Sequence, residues 1–160
     1  MIKYLLILFS SLSMAQVHLV DNEYFIFNNV SDPYSSYKEK GLYLGHEIGI
    51  VSYGKLVKVG VHYFPVLDGG WTRFNGTFGV IVEPNYILTT TTLSGGLNLG
   101  YIRREIYTYP YVGAEFEYIV RFGKTGFGLR SNFDRRTDFQ YWGGLPKWRY
   151  SGQVLVQHKF

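Results

Sequence analysis

The chain has no cysteine among its 160 residues, so it can hold no disulfide, no thiolate-ligated zinc, no cysteine nucleophile and no lipid attached through an N-terminal cysteine. Proline is scarce, with 5 residues, and methionine scarcer, with 2. No helix-period segment, internal repeat or low-complexity tract follows the first 15 residues. Glycine-rich phosphate loops, nucleophile elbows and metal-ligand clusters are absent too, and no cofactor is expected. What is abundant is aromatic and small: 15 Tyr, 12 Phe and 3 Trp beside 19 Gly, with a mean hydropathy near zero. Aromatics and glycines alternating with polar residues suit strands rather than helices. The formal charge of +4 is a mild bias toward anionic surfaces, and no nucleic-acid partner is expected.

The N-terminus reads as an export signal. Lys3 supplies a short positive region, Tyr4 to Leu12 an apolar stretch, and Ser13-Met14-Ala15 a small-x-small cleavage site before Gln16. That stretch is too short for a membrane-crossing helix, which needs about 20 apolar residues. Residues 1–15 are therefore expected to be a cleaved signal peptide, and loss of Lys3 leaves 15 basic against 12 acidic residues. Residues 16–40 are irregular, with a short aromatic run at Tyr24-Phe25-Ile26-Phe27, and read as an N-terminal periplasmic extension.

From residue 41 to residue 160 a two-residue period takes over. In its clearest stretch Val112, Ala114, Phe116, Tyr118, Val120 and Phe122 alternate with Tyr111, Gly113, Glu115, Glu117, Ile119 and Arg121. One face of that strand is apolar and the other carries charge. Turn signals at Tyr53-Gly54, Asp68-Gly69-Gly70, Glu83-Pro84-Asn85, Ser94-Gly95-Gly96, Tyr109-Pro110 and Gly123 to Gly126 divide the segment. The expected strands are 42–53, 55–66, 71–82, 86–94, 96–103, 110–122, 126–134 and 147–160, an all-β, antiparallel up-and-down barrel of about eight strands. An even count keeps both termini on one side. It also turns the connections 103–110 and 134–147 outward, and Asp68-Gly69-Gly70, Ser94-Gly95-Gly96 and Gly123 to Gly126 toward the periplasm.

Alternation alone fits a soluble lipocalin-like barrel as well as a membrane barrel, which differ in whether the apolar face turns inward or outward. The chain closes on Val154, Val156, His158 and Phe160, aromatics gather toward strand ends, and Gly45, Gly49, Gly60, Gly79, Gly113 and Gly128 fall on the charged face. These features resemble the small eight-stranded outer-membrane barrels of the outer-membrane protein A and X kind, whose terminal Phe is read by the barrel-assembly machinery. The leader ending before Gln16 and the Tyr/Asn/Phe-rich style resemble Bacteroidota outer-membrane proteins. The resemblance implies a transmembrane barrel over 41–160, surrounded by lipid and lipopolysaccharide, with Phe160 as its assembly signal.

Given that facing, Glu47, Lys58, Arg73, Glu115, Glu117, Arg121, Arg130 and Arg149 point into a lumen only wide enough for side chains. An unpaired charge there costs several kcal/mol, so these groups are expected to pair across strands and plug the barrel rather than line a conducting or proton-relaying path. On the outer loops Arg103, Arg104, Arg135, Arg136, Trp142 and Lys147 are candidates for contact with lipopolysaccharide phosphates or a partner, against the alternative of ordinary solvated loop charge. A lipid A-modifying enzyme of this size would need a His with a Ser or acidic partner near the outer rim. His46, His62 and His158 lack the His-x-Ser spacing, so no catalytic residue is assigned. The function expected is a non-enzymatic structural or binding barrel at the cell surface, with an accessory subunit of a larger outer-membrane complex as the alternative.

Overall fold

A computed structural model describes residues 17–19, 22–65, 70–84, 90–104, 107–137 and 148–160. The expected leader, residues 1–15, and the residue after it, Gln16, lie outside them. The described elements in chain order are β1 (Val17–Leu19), β2 (Tyr24–Ser31), α1 (Pro33–Lys38), β3 (Leu44–Ser52), β4 (Lys55–Phe64), β5 (Trp71–Pro84), β6 (Thr90–Arg104), β7 (Thr108–Phe122), β8 (Thr125–Arg136) and β9 (Trp148–Lys159). From β2 to β9 each strand pairs antiparallel with the next, and β2 pairs back onto β9, closing a ring of eight. Short β1 lies outside the ring, against the end of β5 from Val82 to Pro84.

The two faces of the wall are inverted relative to a water-soluble barrel. Along β7, Glu115, Glu117, Ile119 and Arg121 are buried inside, while Val112, Phe116, Tyr118 and Phe122 are exposed outside. The other strands repeat this, with Ile48, Val59, Phe74, Phe78, Leu97, Leu99, Phe127 and Leu129 on the exterior. A polar exception, Asn29 beside His46, is self-satisfied: the His46 ring nitrogen and the Asn29 side-chain oxygen are 2.9 Å apart.

The tight connections follow from local chemistry. Tyr53 and Gly54 both take positive φ, +48° and +74°, the two-residue hairpin turn whose twist matches the strands it joins. Asp32 caps α1 by accepting from the Ser35 amide at 2.8 Å, and Pro33 opens the helix where its missing N–H is not needed. Glycine is obligatory where walls crowd. A Cβ on Gly60 would lie 2.5 Å from Cγ of Glu47, and one on Gly79 would lie 2.8 Å from the Gly96 Cα.

The structure corrects the expected layout in four respects, one being that Tyr109-Pro110 is no turn but lies within β7, paired with Ile102 and Tyr101 of β6. Residues 16–40 are not an extension as a whole, because Tyr24–Ser31 is the first strand of the ring and hydrogen-bonds on both sides. Both of its faces are used: Tyr24 and Ile26 pack inside, and Phe25 is exposed outside. The barrel therefore begins at Tyr24 rather than at residue 41. Ser94-Gly95-Gly96 is no turn, since Gly95 and Gly96 sit mid-strand in β6 opposite Val80 and Gly79, where the missing side chains let β5 and β6 run close together. Gaining one strand and merging two keeps the count at eight but inverts the early connections. Tyr53-Gly54 and the link from β5 to β6 lie at the end that holds both termini, and the link from β4 to β5 lies at the opposite end with those from β2 to β3, β6 to β7 and β8 to β9.

If Tyr24–Ser31 closes the ring, a chain shortened to begin at Gly41 exposes the edges of β3 and β9 and fails to fold. On unboiled gels the full chain is expected to show the shifted migration of a closed barrel and the shortened chain none. Equal migration of the two would restore the reading of this segment as an appendage.

Candidate functional site

Alternation brings charged side chains from several strands together near the middle of the ring. Glu47 comes from β3, Lys58 from β4, Glu115 and Glu117 from β7, and Arg130 from β8, all buried. Arg130 is the hub. Its Nη1 and Nη2 donate to the two carboxylate oxygens of Glu47 at 2.7 and 2.5 Å, and its Nε donates to Glu117 at 2.7 Å. Such a bidentate fork is the strongest geometry available to a carboxylate and guanidinium. Lys58 Nζ lies 2.6 Å from Glu117, 2.5 Å from Glu115 and 3.6 Å from Glu47. Neutral donors complete the shell: Asn28 Nδ2 donates to Glu47 at 3.0 Å and Ser94 Oγ to Glu117 at 2.7 Å.

Two smaller groups sit above and below this centre. Toward the end away from the termini, Arg73 pairs with Asp134 at 2.8 Å and donates from Nε to the Tyr111 hydroxyl at 2.6 Å. Toward the termini, Arg121 donates to the Thr92 hydroxyl at 2.8 Å and to the Gln157 side-chain oxygen. Apolar clusters close both ends. Tyr43, Phe64, Trp71, Ile102, Tyr109 and Tyr111 pack over one, and Tyr24, Ile26, Val51, Leu56 and Ile81 over the other.

One chain of contacts has the form of a proton relay. The Tyr43 hydroxyl and Nδ1 of His62 are 2.5 Å apart, and His62 Nε2 lies 2.9 Å from Glu47. Tyr43 and His62 are each only 1% exposed, enclosed within the ring. Gln153 donates to the same hydroxyl at 2.9 Å, which makes Tyr43 a joint between β4 and β9 rather than a reactive group.

Of the charges assigned to the lumen from the sequence, Glu47, Lys58, Glu115, Glu117 and Arg130 meet in one cluster, and Arg73 and Arg121 occupy the flanking groups. Arg149 stands apart, half-buried near the rim, with its guanidinium carbon 5.3 Å from the Trp71 ring. Sequence reasoning missed Asn28, within the segment read as an extension, and Asp134, which was not assigned to the lumen though it alternates in step with Arg130 and Asn132. Among the outer candidates Arg103 is exposed, Arg104 half-buried, and Arg135 exposed with its guanidinium carbon 6.0 Å from the Trp148 ring. Trp142, Lys147 and the side chain of Arg136 lie outside the described residues. Phe160 is exposed, and its amide donates to the Phe25 carbonyl at the closing seam.

Neither protein-family models nor curated protein sequences match the chain. Among solved structures it is similar to Neisserial surface protein A (NspA), at 8% identity and a TM-score of 0.52, over 86% of this chain and 96% of that one. It also aligns with the N-terminal β-barrel domain of Pseudomonas aeruginosa OprF, at 15% identity and a TM-score of 0.48, over 88% of this chain and 98% of that domain. At such identities the likeness is one of fold, and the chain has the closed, eight-stranded, up-and-down fold of the small outer-membrane barrels.

Proposed function

We propose that the protein is a non-enzymatic barrel integral to the outer membrane, plugged by its own side chains, with a structural or binding role at the cell surface. The observation that carries this reading is the inversion of the wall, with Glu47, Lys58, Glu117 and Arg130 sealed inside and Phe74, Phe116 and Leu129 standing outside. In water such an exterior would drive association; in hydrocarbon it is the favoured surface, and a closed ring leaves few backbone groups unsatisfied. The end bearing the links from β2 to β3, β4 to β5, β6 to β7 and β8 to β9 then faces outward. The alternative, an accessory subunit of a larger complex, rests on the shortness of the outer connections and on the apolar run at Tyr24 to Phe27. That run is accounted for by β2, which favours the free-standing barrel.

The membrane reading is tested at Phe116, which is 65% exposed on β7. Phe116→Arg is expected to lower stability by about 2–4 kcal/mol in lipid vesicles, and Phe116→Leu to leave it nearly unchanged. Urea unfolding followed by tryptophan fluorescence measures both. Tolerance of arginine there, with recovery of the protein in the soluble periplasmic fraction, would favour a water-soluble barrel.

The plug is tested by conductance and by charge removal. In planar bilayers the protein is expected to pass little or no current, and steady single-channel currents would refute the closed lumen. Three carboxylates, Glu47, Glu115 and Glu117, face two fixed cations, Lys58 and Arg130, so their removal is not equivalent. Glu117→Gln strips a partner from both cations and is expected to cost about 3–5 kcal/mol. Glu115→Gln affects Lys58 alone, which keeps Glu117, and is expected to cost less. The reverse order in unfolding midpoints would show that the hub is misassigned.

A further inference from the structure

The ring does not close along the full height of its seam. β2 ends at Ser31, opposite Val154, because Asp32 turns aside to cap α1 and Pro33 has no amide to donate to a ladder. β9 is nevertheless paired with β8 from Trp148 onward. Over residues 148–153, β9 therefore has β8 on one side and, among the described strands, none on the other. This leaves a notch in the wall at the end away from the termini, with α1 beside it, and a cavity of about 640 Å³ fills it.

The notch joins two chemistries. Arg149 and Ser151 alternate toward the lumen, whereas Trp148 and Tyr150 are exposed on the outer face, and all four line the cavity with Lys38, Arg104 and Trp71. Gly152, which also lines the cavity, lies between Tyr150 and Val154 on the outer face, and a Cβ added there would meet nothing within 4 Å, so the outer lip of the cavity is open at this position. Lys38 and Arg149 each lie beside a ring, Tyr34 and Trp71, which leaves their charge without a counter-ion among the described residues. Arg149 forms no ion pair among the described residues, and Nε of Arg104 is buried with no hydrogen-bond partner among them. Of the two carboxylates that share the cavity, Asp32 accepts from the Ser35 amide and hydroxyl, and Glu39 is exposed.

We infer that this notch binds a lipid of the surrounding leaflet whose phosphate is not neutralised by a cation of its own headgroup, entering sideways, with that phosphate held by Arg149 and Arg104 and an acyl chain leaving over Gly152 between Tyr150 and Val154. Free phosphate would satisfy the two guanidinium groups but would leave the aromatic outer wall and the gap at Gly152 without a purpose. Guanidinium groups suit phosphate oxygens as paired donors, and indole and phenol rings suit the boundary between headgroup and hydrocarbon. The assignment rests on the membrane reading given above, with the notched end at the outer leaflet.

Native mass spectrometry of the full chain, released from micelles holding equal amounts of phosphatidylglycerol and phosphatidylcholine with the same acyl chains, tests it. The wild type is expected to retain one phosphatidylglycerol in preference to phosphatidylcholine. Arg149→Gln is expected to reduce that retention about tenfold, the scale of one charge-assisted hydrogen bond. Gly152→Leu places a side chain at the outer lip of the cavity, where its Cβ meets no other protein atom within 4 Å, and is expected to reduce retention of both lipids. Excess inorganic phosphate is expected to compete poorly. No preference between the lipids, undiminished retention in both variants, or full displacement by inorganic phosphate overturns the inference. Failure of the membrane reading is seen separately, as a wild-type chain that does not insert into vesicles or shift on unboiled gels.

Discussion

A guanidinium group buried at the centre of a narrow barrel must find carboxylates, and Arg130 organises the interior around that demand. Its three donor positions reach Glu47 on β3 and Glu117 on β7, so one side chain from β8 ties together strands on opposite sides of the ring. Lys58 adds β4 to the same set through Glu117 and Glu115. The network is not a bonus on an otherwise stable core. Removing one partner would leave a buried charge whose desolvation nothing repays, so every member fixes the height of its strand relative to the others. The glycines on that face follow from the same crowding. Gly60 is glycine because the stem of Glu47 occupies the space where its side chain would be.

Much of this arrangement is legible in the sequence, for a reason peculiar to barrels. With an apolar exterior and a charged interior, every strand advertises its two faces at a period of two, and Glu115, Glu117 and Arg121 against Phe116, Tyr118 and Phe122 could face only one way once the exterior was taken as lipid. The period is silent where both faces are apolar. Tyr24 to Phe27 is such a place: Tyr24 and Ile26 belong to an end seal and Phe25 to the exterior, and no charge marks the difference. It misleads where glycine does something other than turn. Gly95 and Gly96 carry the composition of a hairpin, yet they permit close approach of β5 and β6, a contact between strands that a single strand's sequence does not reveal.

The pairing of partners was less legible than the list of charges. Arg73 with Asp134 joins residues 61 positions apart, and Arg130 with Glu47 joins residues 83 apart. Such choices depend on the stagger of strands around the ring, which is set by turn lengths and by where β2 begins. Once the first strand is recognised, Asn28 falls beside Glu47 by register, opposite it across the β2–β3 ladder. Arg149 has the alternation of a lumen residue but stands above the Arg130 cluster, against Trp71, because β9 starts higher on the seam than β2 ends.

The seam between β2 and β9 also constrains the order of events in folding. It joins the first and last strands of the ring, so Asn28 meets Gln157 only after almost the entire chain has been made. Hairpins such as β3 with β4 form from neighbours and close quickly, whereas this contact carries the largest loop entropy in the molecule. Until β9 is present, β2 has one satisfied edge and one bare one, and the half-built sheet offers a strand template on both sides. The nascent barrel is thus most vulnerable to aggregation just before completion, and a helper that shields the two free edges during that interval protects the chain more than any added contact in the finished ring.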